Sequence, residues 1–194
     1  MISAVEPDEP AFKFQQRDNP VGAFVAKLRE REAITSLALE FLILTAARTG
    51  EVLGAEWPEF DLEGKVWTVS AKRMKSNREH RVPLSPRGVE IIEKLRAVRT
   101  GAFVFPGQRL DKPLSGTALV KAQRRMGVHD ATVHGFRSSF RDWCGEETNF
   151  PREIAEAALA HVTGDKAERA YRRGDALEKR RALMDAWAAF VGAL

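Results

Sequence analysis

The hydrophobic positions divide the chain into an irregular start and a long region of helical periodicity. Residues 1–19 mix charges with prolines and show no sustained period, which predicts a linker or arm. In residues 20–32 the apolar positions fall on one stripe and Asn19 can cap the start, which predicts an amphipathic helix. Residues 34–48 are apolar on most faces, so we expect this second helix to be buried at the centre of the domain. Gly50 is expected to interrupt it.

Beyond Gly50 the helical pattern resumes in shorter segments. Residues 51–57 predict a further turn or two before Pro58. Later segments with helical periodicity are 86–98, 115–126, 132–147, 151–161, 166–173 and 177–191. The last of them carries an apolar stripe made of Leu177, Met184, Trp187 and Val191. Such a stripe predicts packing in cis or weak self-association in solution.

Strand-like alternation is confined to a short part of the chain. Residues 66–70 alternate between apolar and polar positions, and residues 81–84 can pair with them across the polar connection 71–80. Residues 102–105 offer a third short strand before a Pro-Gly turn. The fold class that follows is mainly α with a small antiparallel three-stranded β-sheet.

Composition excludes several classes of protein. A chain of 194 residues that is 44% hydrophobic and 30% charged can bury a real core, so it is not mainly disordered. The longest apolar run, residues 41–47, is too short to cross a bilayer, so we expect no membrane association. The single Cys144 excludes a disulfide framework and a cysteine zinc site, and it suits a reducing cytoplasm. Because the histidines show no metal-ligand spacing, we expect no zinc site.

The charge distribution favours an anionic partner. The chain carries 31 Lys and Arg against 27 Asp and Glu, a formal net charge of +4, and its first residues are acidic. Basic residues cluster in three places, each next to a residue with reactive chemistry, which favours phosphate binding over a merely solvated surface. The candidate DNA-binding residues are Lys72, Arg73, Arg78, Lys121, Arg124 and Arg125. The third cluster is 169–173.

Some residues beside these clusters could act as a nucleophile or bind a phosphate. Tyr171 is the only tyrosine, and alone it is most simply a helix-surface residue. As a nucleophile, a phenol with a pKa of ~10 would need cations or a base nearby. His134 and Arg137 are three positions apart on one predicted helical face, where a guanidinium fork fits a phosphate and an imidazole can donate or accept. The alternative for this pair is a structural histidine.

Three further positions have alternatives of the same kind. Arg48 follows the most apolar helix and could cap its C-terminal end, but Glu51 could instead hold its guanidinium in a fixed position. Lys75 lies in the polar connection and is either solvated or, beside a phosphate, a candidate proton donor. His161 ends a predicted helix, a position that the helix dipole favours for any histidine.

Taken in chain order, these residues resemble the active site of the tyrosine recombinases, or phage integrases. Residues 45–57 (TAARTGEVLGAEW) resemble the first arginine box, and residues 73–84 (RMKSNREHRVPL) resemble the β-hairpin with the lysine. Residues 133–140 (VHGFRSSF) and 159–161 (LAH) resemble the second box. Tyr171, ten positions past His161, fits the nucleophile.

The resemblance covers residues 20–194 and implies that they are a catalytic domain with the tyrosine recombinase fold. It implies strand cleavage and rejoining at double-stranded DNA attachment sites, in integration or excision, without metal or cofactor. Tyr171 would attack a phosphate, form a 3′-phosphotyrosyl link and release a 5′-hydroxyl, and a partner strand's 5′-hydroxyl would then restore the backbone. Members of the family carry an N-terminal helical domain, so residues 1–19 are expected to be a linker or arm.

The resemblance also assigns roles to the other residues. Arg48, supported by Glu51, and Arg137 would clamp the non-bridging oxygens. His161 would donate a further hydrogen bond. His134 would orient the phosphate or help to take the proton of the nucleophile, and Lys75 would protonate the leaving 5′-oxygen.

Assembly and location are expectations of the same origin. We expect a monomer or weak self-association in solution, a tetramer on DNA, and a place among the nucleoid DNA of the cytoplasm. Two alternatives stay open: nicking and closing of the type IB topoisomerase kind, and a non-catalytic DNA-binding remnant.

Overall fold

The computed structural model describes residues 19–109, 111–161 and 176–193. Its helices are α1 (Pro20–Arg29), α2 (Ile34–Thr45), α3 (Thr49–Leu53), α4 (Pro86–Ala97), α5 (Gly116–Arg125), α6 (Gly135–Glu146), α7 (Arg152–Ala158) and α8 (Leu177–Val191). Its strands are β1 (Phe60–Asp61), β2 (Val66–Val69) and β3 (His80–Pro83). Tyr171, the predicted helix 166–173 and most of the predicted arm lie outside the described residues.

Helix α2 is the buried centre of the domain, as its apolar sequence predicts. It is buried from Ser36 onward and packs against α1, α4, α5 and α8. It ends earlier than expected, because Ala46 adopts the left-handed conformation with a φ of 48°. Gly50 does not interrupt α2. It lies inside α3, which begins after the break at Ala46.

The sheet is antiparallel with the strand order β1-β2-β3. Phe60 pairs with Trp67, and Val69 pairs with His80, so the polar connection 70–79 closes on that last pair. The prediction that residues 102–105 form the third strand is wrong. Phe103 makes only an isolated bridge to Glu56, and the third strand is β1, which is too short to show alternation in the sequence.

Helix α8 packs in cis through its apolar stripe. Met184, Trp187 and Val191 are buried, and the indole Nε1 of Trp187 donates a hydrogen bond of 2.8 Å to the carbonyl of Ile43 in α2. Helix α8 also packs against α1, α7 and β3. The helix therefore completes the core of its own chain and stands beside the two elements, α7 and β3, that lead into the site.

Two sequence-based exclusions concern membranes and metals. None of the described helices combines the length and the apolarity that crossing a membrane requires. Within the same residues, no three His, Cys, Asp or Glu side chains come together as a group that could hold a metal ion.

Candidate active site

Arg48 stands at the start of α3 and is held there by Glu51. One carboxylate oxygen of Glu51 accepts from the backbone N–H of Arg48 at 2.9 Å, and the other accepts from its guanidinium Nη1 at 2.8 Å. Glu51 is buried, whereas the side chain of Arg48 is 24% exposed. Arg48 therefore caps the N-terminus of α3 rather than the C-terminus of α2, and its guanidinium is fixed near the surface.

Arg137 lies in the first turn of α6, and its guanidinium joins three parts of the chain. It donates to the carbonyl of Ala46 after α2 and, over 2.7 Å, to the carbonyl of Leu159 after α7. Its Nη2 also lies 3.3 Å from Nε2 of His161. Burial, and secondly the positive charge of Arg48, lower the pKa of Arg137 to about 10, so it stays charged at neutral pH.

The end of α7 turns His161 back over its own helix. Ala160 is left-handed with a φ of 52°, and the N–H of His161 bonds to the carbonyl of Glu156 while the N–H of Ala160 bonds to that of Ala157. This is the Schellman termination of a helix, with alanine where glycine is usual. As a result, the carboxylate of Glu156 lies 2.6 Å from Nδ1 of His161.

These contacts define the protonation of His161. Burial lowers the pKa of His161 below the usual value, against the opposing effect of the hydrogen bond that its ring donates to Glu156, so the ring is neutral at pH 7. A carboxylate only accepts, hence Nδ1 carries the proton and Nε2 accepts from Arg137. This differs from the donor role that the resemblance implies for His161.

His134 caps α6 instead of lying within it, and Lys75 lies in the connection between β2 and β3. His134 is the half-buried residue before α6, and its carbonyl accepts from the N–H of Arg137 at 2.9 Å. Lys75 is exposed in the connection between β2 and β3, in a turn closed by a bond from the N–H of Asn77 to the carbonyl of the buried Met74. The structure thus joins His134 to Arg137 through a backbone hydrogen bond and sets Lys75 on a separate anchored turn.

Sequence reasoning missed Glu156. Its side chain is almost completely buried, and besides His161 it faces Arg141 at 3.2 Å. The available signal was an acidic residue within the apolar face formed by Ile154, Ala155, Ala158 and Leu159. A buried carboxylate next to a histidine fixes the tautomer and the orientation of the ring.

The candidate DNA-binding residues divide into two groups. Most of them are exposed, namely Lys72, Arg78, Lys121, Arg124 and Arg125. Arg73 differs from them because its guanidinium is turned inward. Its guanidinium donates to the carboxylate of Glu59 and to the backbone carbonyl of Glu51, so it ties the hairpin to the element that holds Arg48.

The sequence has relatives among integrases. The model of the phage integrase family matches residues 18–177. Prophage integrase IntA of Escherichia coli (strain K12) is 39% identical over 154 residues, which are 78% of this chain and 37% of that protein. The chain therefore spans less than half the length of this relative.

The fold has relatives among solved structures. The lambda integrase catalytic core gives a TM-score of 0.56 at 19% identity, covering 76% of this chain and 91% of that one. A lambda integrase tetramer bound to a Holliday junction gives 0.58 at 18% identity, covering 87% of this chain and 50% of that one. The predicted fold class, mainly α with a small antiparallel sheet in a tyrosine recombinase catalytic domain, is confirmed. With its residues 18–177 matched by the family model, this chain belongs to the phage integrase family.

Proposed function

We propose that this chain cleaves and rejoins DNA strands as the catalytic domain, residues 20–194, of a tyrosine-type site-specific recombinase. Tyr171 attacks the scissile phosphate, and a 3′-phosphotyrosyl link conserves the bond energy until a 5′-hydroxyl of the partner strand displaces it. Atoms and charges balance without metal or cofactor, because one phosphodiester is exchanged for another. Membership in the phage integrase family supports this activity, and it does not favour the topoisomerase-like alternative.

One observation carries the proposal: two guanidinium groups are held near each other by fixed partners. Arg137 donates to the carbonyl of Ala46, two residues before Arg48. Burial, and secondly the positive charge of Arg48, lower the pKa of Arg137, so the two cations repel each other in the free protein. Glu51 and the carbonyls of Ala46 and Leu159 prevent the two groups from moving apart. A phosphodiester between them relieves the repulsion, and the same cations stabilise the extra charge of the pentacoordinate transition state.

His161 assists as a donor once DNA is bound. An anionic phosphate favours the imidazolium form, and the carboxylate of Glu156 already faces Nδ1 to stabilise that positive charge. Protonated Nε2 then donates to a non-bridging oxygen. His134 orients the phosphate or helps to take the proton of Tyr171, and Lys75 protonates the leaving 5′-oxygen.

The partner is double-stranded DNA at attachment sites. The exposed Lys121, Arg124 and Arg125 share one face of α5, and Lys72 and Arg78 extend the positive surface along the hairpin. The lambda integrase neighbour is a tetramer on a Holliday junction, which supports a tetramer on DNA for this chain, with a monomer or weak association in free solution. Residues 1–19 act as linker or arm, and the protein works among the nucleoid DNA of the cytoplasm.

The test is covalent trapping on a nicked DNA substrate whose cleavage releases a short fragment that cannot religate. Denaturing electrophoresis with attachment-site DNA is expected to give a shifted protein–DNA band with the wild-type chain and none with Tyr171→Phe. Because no other tyrosine exists in the chain, none can substitute for Tyr171. A band of equal intensity with Tyr171→Phe, or no band with the wild type, would refute the proposal, and DNA binding without a band would favour a binding remnant.

A further inference from the structure

His80 is the first residue of β3 and stands at the base of the loop that carries Lys75. It pairs with Val69 of β2, so the connection 70–79 leaves and re-enters the sheet at this position. Its ring Nε2 lies 3.2 Å from the carbonyl of Ala158 at the end of α7. Since a carbonyl only accepts, Nε2 carries the proton and donates.

The carbonyl that His80 holds belongs to the site's own framework. Ala158 is followed by Leu159, whose carbonyl accepts from Arg137, and then by the turn that sets His161. His80 and Arg137 therefore hold consecutive carbonyls of one helix end, His80 from the sheet side and Arg137 from α6.

A second bond at the same place comes from α8. The guanidinium of Arg180, a buried residue, donates to the carbonyl of Arg81, the neighbour of His80. The start of β3 is thus bonded to α7 on one side and to α8 on the other, whereas the loop that ends there is largely exposed. The groups that face His80 are Arg180, Arg137 and Glu51, and burial with the two cations keeps the ring neutral.

We propose that His80 is a positioning residue that sets the Lys75 loop relative to Arg137 and His161 through its bond to the carbonyl of Ala158. The inference rests on the proposed function, because it acts on the proton transfer assigned to Lys75. Without the bond, β3 stays paired to β2, but the loop loses its link to the helix end that orients the two phosphate-binding groups. The rate of proton donation by Lys75 is the first to fall, because the donating nitrogen must come within ~3 Å of the 5′-oxygen.

The experiment compares single-turnover cleavage of two DNA substrates, an ordinary phosphodiester and one with sulfur at the bridging 5′ position. Sulfur leaves readily as a thiolate and needs no proton from Lys75. The variants are His80→Leu, which cannot donate, and His80→Gln, whose amide Nε2 can reach the same carbonyl. His129→Leu, at an exposed histidine, is the matched control.

On the ordinary substrate we expect His80→Leu to lower the single-turnover cleavage rate by about 10–100-fold, the range typical of residues that orient a catalytic group. On the sulfur substrate the loss should nearly vanish, and His80→Gln should keep most of the wild-type rate on both. Should His80→Leu fail to fold, His80→Asn replaces it, being polar but too short to reach the carbonyl.

Equal losses on both substrates would overturn the positioning role in favour of general distortion. A His80→Leu rate equal to that of the wild type, or a His80→Gln rate no better than that of His80→Leu, would overturn it as well. Failure of the proposed function is distinguishable, because then the wild-type chain itself forms no adduct with either substrate.

Discussion

The carboxylate of Glu156 and Nδ1 of His161 lie 2.6 Å apart, although Glu156 lies within α7 and His161 lies beyond its end. The Schellman turn at Ala160 brings them together by folding the chain back after α7. A second contact of Glu156, with Nε of Arg141 at 3.2 Å, holds the other oxygen of the carboxylate. Glu156 consequently decides which nitrogen of His161 faces Arg137.

The first prediction follows from this pair. Glu156→Gln keeps the size of the side chain but removes the negative charge that favours the imidazolium form when a phosphate is bound. We expect the single-turnover rate of DNA cleavage to fall by ~10–100-fold, with DNA affinity nearly unchanged. Glu153→Gln, on the exposed side of the same helix, is the control and should retain the wild-type rate. A Glu156→Gln variant as fast as the control would remove Glu156 from the site.

Local spacing made part of this site predictable. Arg48 and Glu51 are three positions apart, a spacing that brings side chains together on any helical turn, and their contact is present in the structure. The partners of Arg137 were not predictable in the same way, because the carbonyls of Ala46 and Leu159 come from distant parts of the chain. Every residue has a backbone carbonyl, so the residue types do not show which carbonyl accepts a hydrogen bond.

Other differences between sequence and structure have physical reasons of their own. Ala46 ends α2 in a left-handed conformation, and alanine gives no signal for a position where glycine is usual. Arg73 belongs to a basic run that is typical of an exposed surface, but the half-buried Glu59, fourteen positions earlier, turns it inward. The strand Phe60–Asp61 is too short for a period to be visible.

The second prediction concerns pH and the stability of the fold. Burial and the nearby Arg180 lower the pKa of His80 to about 4, below the usual value for a histidine of about 6.5. As the pH falls from about 6.5 to about 4, His80 therefore binds a proton in the unfolded chain but stays neutral in the folded chain. Over this window His80 alone should reduce the free energy of unfolding by about 3 kcal/mol.

The measurement is urea denaturation of the wild type and of His80→Gln across that window. Carboxylates contribute equally to both proteins, so the difference between the two curves isolates the histidine. We expect His80→Gln to lose less stability in acid than the wild type, while His129→Gln should follow the wild type. Parallel curves for the wild type and His80→Gln would contradict the buried, neutral state of the ring.

The third prediction separates the two kinds of basic residue. Arg124→Gln removes an exposed charge on α5, and if that charge contacts a phosphate, the slope of log affinity against log salt should decrease by ~0.9. Arg73→Gln should leave the salt slope unchanged, because its guanidinium bonds to Glu59 inside the protein. It should instead destabilise the fold by ~1–3 kcal/mol, since the half-buried carboxylate of Glu59 and the carbonyl of Glu51 lose a charged donor.

Both variants are measured on one DNA duplex over a series of salt concentrations, and their stabilities by denaturation. Arg96→Gln, at an exposed position of α4 outside the three basic clusters of the sequence, is the control for a general loss of charge. A decrease of the salt slope with Arg73→Gln and none with Arg124→Gln would reverse the assignment of the two residues.

The last prediction isolates Lys75. Its position on an exposed turn is compatible with a proton donor that closes on the DNA, and also with a residue that only holds the backbone. If it protonates the 5′-oxygen, Lys75→Ala should slow cleavage of ordinary DNA by ~10²–10⁴-fold, the usual contribution of a general acid. With sulfur at the bridging 5′ position, the leaving thiolate needs no proton, and the same variant should cleave at nearly the wild-type rate.

Arg48→Ala and Arg137→Ala provide the contrast, because their charges act on the non-bridging oxygens, which the sulfur leaves unchanged. Both should stay slow on either substrate. The ratio of the cleavage rates on the two substrates thus separates the transfer of a proton from the stabilisation of charge. The rates are measured with protein in saturating excess, so that the ratio does not depend on how tightly each variant binds DNA. Loss of the same factor by Lys75→Ala on both substrates would mean that Lys75 holds the DNA backbone and that the proton comes from another group.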